Sequence, residues 1–178
     1  MLTREVIVEA LTKLSDELVR RGIIGEINIV GGTAMVLAFS ARLSTKDVDA
    51  IFEPASEVRA AAARIALELN LDSDWLNDAA KGFLSPNGTF QPVVDLDLPN
   101  LRVLAPTAEY MLAMKVLAAR AGRGDERGDA GDIRLLIQRL GLTTTDSVLE
   151  IVQFYYDPTR LFPRNVFTVD SIIEELKA

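Results

Sequence analysis

The stretch IVGGTAMVLAFSARLSTKDVDAIF, from Ile29 to Phe52, decides how the fold of this chain is interpreted. It continues a β-branched run over Glu26 to Val30, which predicts a strand, and Gly31 and Gly32 break that run. The residues from Thr33 to Ser40 have helix-forming character, and the threonine is placed as a possible N-cap. We therefore expect a strand, a glycine turn and a helix in this order.

The end of the same stretch, Val48 to Phe52, predicts a second strand. Asp47 and Asp49 are two residues apart, so on an extended chain they share one face while Val48 and Ala50 point the other way. Like charges on one face of a strand are destabilising unless something holds them there. A hard divalent cation favours such an all-oxygen arrangement, which predicts a site for Mg²⁺ or Mn²⁺.

The glycine pair supplies the second half of the predicted site. A backbone without Cβ atoms approaches a phosphate closely, and the free N–H groups of a helix beginning at Thr33 offer an anion site. The same residues also have purely structural interpretations: a simple turn for the glycines, a strand-end position for Asp47, and an ion pair with Arg42 or Lys46 for Asp49.

The composition limits the classes of function that remain. The chain has 178 residues, 49% of them hydrophobic and 25% charged, which suits one hydrophobic core. It contains no cysteine and no histidine, so thiolate and imidazole metal sites and a histidine base are excluded. The net charge of −7 argues against nucleic-acid binding over the whole surface. No apolar run is long enough to span a bilayer and the N-terminus lacks a signal-peptide core, which predicts a cytoplasmic protein without a membrane partner.

One group of basic residues contrasts with the negative net charge of the chain. We interpret it either as a local basic patch or as a solvated helix end, and its members are Arg120, Arg123, Arg127, Arg134 and Arg139.

Outside the opening stretch, the sequence predicts mostly helices. We expect them over Thr3–Arg21, Glu57–Leu69, Thr107–Ala121, Ile133–Leu140, Asp146–Tyr156 and Val169–Lys177, with a short helical possibility at Trp75–Ala80. Strands at Gln91–Leu98 and Leu101–Leu104 are expected to form a hairpin. The predicted fold class is α/β (α+β), a small mixed sheet flanked by helices. We expect a core over residues 1–106 and a helical part over 107–178, packed as one compact unit.

The order of apolar strand, GG, helix and DVD resembles the signature of the DNA polymerase β-like nucleotidyltransferase superfamily. Within it, GGTAMVLAFSARLSTKDVDAIF is similar to AbiEii/MenT-type toxin nucleotidyltransferases and to related bacterial families of unknown function. The segment YMLAMKVLAARAGRGDERGDAGDIRLL extends the resemblance over roughly residues 25 to 140. Such relatives carry a lysine on one helix and an aspartate on the next, which correspond to Lys115 and Asp132 here.

The resemblance implies a nucleotidyltransferase fold and magnesium-dependent transfer of a nucleoside monophosphate from a nucleoside triphosphate to an acceptor hydroxyl. Asp47, Asp49 and a third carboxylate would bind the metal, and Asp95 is preferred over Asp97 for the third position. The turn formed by Gly31, Gly32 and Thr33 would hold the phosphates.

Two further residues are implied by the same resemblance. Lys115 would neutralise the phosphate tail, and Asp132 would position Lys115 or the acceptor. Without the resemblance, Lys115 is equally well interpreted as a lysine that extends its amine to the surface, and Asp132 as a first-turn acid that suits a helix N-terminus.

The toxin relatives also imply an acceptor and a partner. The acceptor would be the 3′ end of a tRNA or a protein, and a cognate antitoxin would bind the chain. A small-molecule nucleotidyltransferase of the antibiotic-modifying type and a catalytically silent binding module with the same fold are the alternatives.

Overall fold

The computed structural model describes residues 1–119 and 129–178, which divide into two compact units. The first comprises Met1–Gly82 and Phe90–Ala105, and the second comprises Phe83–Thr89 and Pro106–Ala178. The division before Pro106 falls one residue from the expected boundary, and the assignment of Phe83–Thr89 to the second unit was not foreseen. Tight packing of the two parts as one unit stays a prediction.

The first unit is a mixed α+β arrangement. Its elements are β1 (Leu2–Thr3), α1 (Arg4–Arg21), β2 (Gly25–Ile29), α2 (Gly31–Leu37), β3 (Ser44–Thr45), β4 (Val48–Glu53), α3 (Ala55–Leu69), β5 (Leu76–Asn77), a 3₁₀ helix (Ala79–Phe83), β6 (Phe90–Pro92) and β7 (Leu101–Pro106).

Five strands of this unit form a mixed sheet in the order β5-β4-β2-β7-β6. β2 is antiparallel to β4 and parallel to β7, and β4 is parallel to β5. Inward-facing residues such as Ile27, Ile29, Val48 and Ala50 are fully buried, which gives the sheet an apolar face. β1 and β3 form a separate two-stranded ribbon in which Leu2 pairs with Thr45.

Helix α1 of the first unit follows its sequence signals. In α1, Ile7, Leu11, Leu14 and Leu18 recur at helical spacing and are fully buried. The helix ends at Gly22, whose φ of 65° is the left-handed conformation that glycine adopts without a Cβ penalty.

The second unit is helical in its described part. It contains α4 (Ala108–Ala118), α5 (Asp129–Arg139), α6 (Thr145–Tyr155), a 3₁₀ turn (Pro158–Arg160) and α7 (Pro163–Lys177). Tyr110 on α4 is fully buried, stacks on Tyr155 at 4.8 Å between ring centroids, and accepts a hydrogen bond from the Ser85 backbone N–H at 2.8 Å. This contact explains why Phe83–Thr89 belongs with the helices rather than with the sheet.

Three expected elements differ most from the structure. The strand predicted over Gln91–Leu98 is wrong beyond Pro92, because the chain turns at Val94 and Asp95. The φ of Asp95 in this turn is 64°. The helical possibility at Trp75–Ala80 is wrong at its start, since β5 there pairs with β4. The last helix begins at Pro163 rather than at Val169, because proline suits a first helical turn.

Among the described residues, no helix is long and apolar enough to cross a membrane.

Candidate acid and glycine site

The turn between β2 and α2 brings the predicted glycines and acids together. Ile29 of β2 pairs with Ala50 of β4, and the Val30 N–H donates to the Asp49 carbonyl at 2.9 Å. The sheet register therefore places the end of β2, where the glycine turn begins, directly beside Asp49. Antiparallel pairing produces this contact without any ligand.

Gly31 has a specific structural reason to be glycine. Its φ is 59°, a left-handed conformation, and a Cβ at this position would stand 3.2 Å from the Asp49 carboxylate oxygen Oδ2. An L side chain here would be strained and would also press on that carboxylate. The absence of a side chain thus lets the charged group of Asp49 lie against the backbone of the turn.

Gly32 is constrained by different neighbours. A Cβ there would collide with the Thr45 side chain, and the Arg42 guanidinium nitrogen Nη1 lies 3.9 Å from the same position. A carboxylate therefore lies beside Gly31, and a guanidinium lies beside Gly32. Arg42 was considered only as an ion-pair partner of Asp49, and Thr45 was not expected at this turn, although both lie within the opening stretch.

The acid pair shows the alternation of a strand with one buried face. Val48 and Ala50 are fully buried, whereas Asp47 and Asp49 are both partly exposed. Asp49 lies within β4 and Asp47 lies in the bend immediately before it. The alternation puts both carboxylates on the side of the chain that solvent reaches, where their charges add.

The Thr33 hydroxyl makes a contact other than the predicted N-cap. The helix begins at Gly31 rather than at Thr33, and its N-cap position is occupied by Val30, which makes no side-chain cap. The Thr33 side chain is fully buried, and its hydroxyl donates a hydrogen bond to the Asp47 carbonyl at 2.9 Å. The prediction that Thr33 caps the helix is therefore wrong, and its hydroxyl holds the backbone of Asp47 instead.

Among the described residues, no third carboxylate joins Asp47 and Asp49 in a group that could hold a metal ion. Asp95 and Asp97 are exposed and lie outside any strand, so their expected strand placement is wrong. Asp95 occupies a turn because aspartate tolerates a positive φ better than most residues. In residues 1–119 and 129–178, no three His, Cys, Asp or Glu side chains form a group that could hold a metal ion.

Lys115 and Asp132 lie together in the second unit. The Lys115 amine is 2.7 Å from Asp132 Oδ2 and 2.9 Å from Asp129 Oδ1, and the Lys115 side chain is only 8% exposed. The interpretation of Lys115 as a lysine reaching for solvent is therefore wrong, because burial of its amine is offset by two carboxylates. Asp129 completes this cluster, and its position in the first turn of α5, three residues before Asp132, was the available signal.

The arginine group is only partly visible. Arg120, Arg123 and Arg127 lie outside the described residues. Arg134 forms an ion pair with Glu175 of α7. The two described members, Arg134 and Arg139, both lie on α5. The interpretation of the whole group as a basic patch stays a prediction.

No family model, characterised protein or solved structure matches this chain.

Proposed function

We propose that this chain is a magnesium-dependent nucleotidyltransferase that moves a nucleoside monophosphate from a nucleoside triphosphate to an acceptor hydroxyl. The observation that supports it best is the contact of the Asp49 carboxylate with the glycine turn, with a Cβ position on Gly31 only 3.2 Å from Oδ2. A carboxylate held against an open backbone turn can share one cation with a phosphate bound on that turn.

The two acids would act as a metal site on the protein side. Asp47 and Asp49 would each offer carboxylate oxygens, and Mg²⁺ characteristically takes its remaining ligands from water and substrate phosphates. The bound ion would supply charge stabilisation at the reacting phosphoryl oxygens. Partial exposure of both acids is consistent with this role, since the site must admit a hydrated cation.

The reaction can be written from the groups on this turn. The acceptor oxygen attacks the α-phosphorus, the bond from that phosphorus to the bridging oxygen breaks, and pyrophosphate leaves. The acceptor proton must pass to a base, and a carboxylate is the available type because the chain has no histidine. Asp47 and Asp49 would orient the nucleotide, and the backbone at Gly31 and Gly32 would approach its terminal phosphates.

The acceptor is proposed from the sequence resemblance. It is the 3′ end of a tRNA or a protein, and the chain acts as the toxin of a pair with a cognate antitoxin. Transfer to a small molecule of the antibiotic type is the second enzymatic candidate, and a catalytically silent binding module is the third. The roles of Lys115 and Asp132 in nucleotide binding are separate predictions. They are tested by the stability and the ATP affinity of Lys115 variants.

A transfer assay separates these candidates. The protein is incubated with α-labelled nucleoside triphosphates, Mg²⁺ and total tRNA, and label is followed into RNA, into protein and into small acceptors such as aminoglycosides. Asp49→Asn should lower transfer at least about 100-fold, because metal-assisted charge stabilisation contributes several kcal/mol to such reactions. Asp74→Asn, at an exposed position in the same unit, is the matched control and should transfer normally.

Each outcome decides among the classes. Label in RNA or protein that requires Asp49 supports the proposal, and label only in a small acceptor supports the second candidate. Nucleotide binding by the wild type without any transfer supports the silent module. Equal transfer by the wild type and Asp49→Asn would show that the chemistry does not use the acid pair.

A further inference from the structure

We propose that Arg42 binds the terminal phosphates of the nucleoside triphosphate at the glycine turn. This inference rests on the proposed function and names a phosphate-binding residue that the sequence patterns did not assign. The Arg42 Nη1 atom lies 3.9 Å from the position that a Gly32 Cβ would occupy, so the guanidinium reaches the backbone of the turn.

The chain is folded so that this arginine returns to the start of α2. After the helix, the Phe39 N–H donates to the Ala34 carbonyl at 3.2 Å and the Ala41 N–H to the Met35 carbonyl at 2.8 Å. These bonds turn residues 39–41 back along the helix, and Arg42 then extends toward Gly32. The segment that follows is fixed as well, because Thr45 pairs with Leu2 in the β1–β3 ribbon.

The turn needs a positive charge that its own helix does not provide. α2 has only seven residues, so its dipole contributes little beyond the local N–H groups. A triphosphate carries more negative charge than one Mg²⁺ balances, and the acid pair adds still more. Arginine suits this task because its planar fork presents several N–H donors to phosphate oxygens and always carries its charge.

The other arginines of the first unit make contacts elsewhere. Arg20, Arg21 and Arg64 surround the buried Glu17 carboxylate. The remaining contacts are Arg4 to the Leu37 carbonyl, Arg59 to Asp78 and Arg102 to Glu26. Among the described arginines of the first unit, Arg42 is the one whose guanidinium lies beside Gly32, and its side chain is partly exposed.

A structural alternative gives a different result in the same experiment. Arg42 would then serve only to balance the negative charge of Asp47 and Asp49, as a permanent internal counter-ion. In that case, its removal would change the stability of the metal-free protein and would leave nucleotide affinity unchanged.

The test is calorimetric titration of ATP and of AMP in Mg²⁺ on the wild type, Arg42→Met, Arg42→Lys and Arg102→Met. Arg42→Met should weaken ATP binding roughly 10- to 100-fold, the range of a charge-assisted contact. Arg42→Lys should lose less ATP affinity, because lysine retains the positive charge although it lacks the planar guanidinium. Arg102→Met removes an exposed arginine on β7 and should bind ATP as the wild type does. AMP affinity should be the same in all four proteins.

Several results overturn the inference. Wild-type ATP affinity in both Arg42 variants, with or without a change in melting temperature, assigns Arg42 to a structural role while the proposed function stands. An equal loss for AMP and ATP shows that Arg42 does not select the terminal phosphates. Absence of nucleotide binding in the wild type removes the proposed function itself, and this inference with it. Should Arg42→Met fail to fold, the comparison of Arg42→Lys with Arg102→Met still decides the matter.

Discussion

The two units hold their acidic residues in opposite ways. In the second unit, Asp132 is nearly buried, with a side chain only 4% exposed, and it pairs with the buried Lys115 amine at 2.7 Å. In the first unit, Asp47 and Asp49 lie two residues apart and remain partly exposed beside a glycine turn.

This difference separates charges that the fold requires from charges that a ligand can use. A buried carboxylate must be paired, so the contacts of Lys115 are sufficiently explained by stability. Partly exposed acids carry no such requirement, and their accessibility leaves them able to bind a cation. The acid and glycine turn is therefore the better candidate for chemistry, and the lysine cluster is the better candidate for stability.

Removal of the Lys115 amine tests whether this lysine stabilises the fold. Lys115→Met removes the amine that pairs with the buried Asp132 carboxylate at 2.7 Å, so we expect a loss of about 3 kcal/mol in the free energy of unfolding. Chemical denaturation measures this loss, and the double variant with Asp132→Asn should recover part of it because the buried negative charge is then removed.

The same variant tests the nucleotide role implied for Lys115. If its amine also binds the triphosphate tail, the folded Lys115→Met protein should bind ATP more weakly by about 1.5 to 3 kcal/mol. Unchanged stability combined with weaker ATP binding would reverse our assignment and make Lys115 a ligand-binding residue rather than a structural one.

A pair of glycine variants sharpens the comparison within the first unit. Gly31 and Gly22 have similar positive φ values, 59° and 65°, so replacement by alanine should cost each variant about 1 to 2 kcal/mol of stability. A Cβ at Gly22 meets nothing within 4 Å, whereas one at Gly31 meets the Asp49 carboxylate. Only Gly31→Ala should therefore weaken Mg²⁺-ATP binding, as followed by calorimetry and melts.

That pair has a clear failing outcome. If Gly22→Ala and Gly31→Ala bind Mg²⁺-ATP equally well after their folding has been checked, the turn is a structural feature only. The contact between the turn and Asp49 would then carry no functional meaning.

The smallest expected effect concerns the hydrogen bond from Thr33 to the Asp47 carbonyl. Thr33→Val is close in volume but lacks the hydroxyl, so it should lose about 1 kcal/mol of stability. It should also weaken the rise in melting temperature that Mg²⁺-ATP produces, because Asp47 is less firmly held. Thr33→Ser keeps the hydroxyl and should recover the nucleotide effect. Recovery of neither property by serine would show that the methyl group, and not the hydrogen bond, matters.

The sequence by itself determined the local parts of this protein. The β-branched run before Gly31 and the apolar run from Val48 predicted β2 and β4 because side-chain alternation is a property of neighbouring residues. For the same reason, the helical spacing of apolar residues predicted α1, and the alternation of acids with Val48 and Ala50 predicted their shared face.

Only the tertiary structure decided which side chains meet. The contacts from Thr33 to Asp47 and from Arg42 to Gly32 depend on how the loop after α2 returns, and the pairing of Lys115 with Asp129 depends on how two helices pack. The turn at Asp95 likewise ended a strand that alternation favoured. Periodicity reports which face of an element is apolar, but partners distant in sequence are fixed by strand register, loop conformation and packing, which no short window of sequence contains.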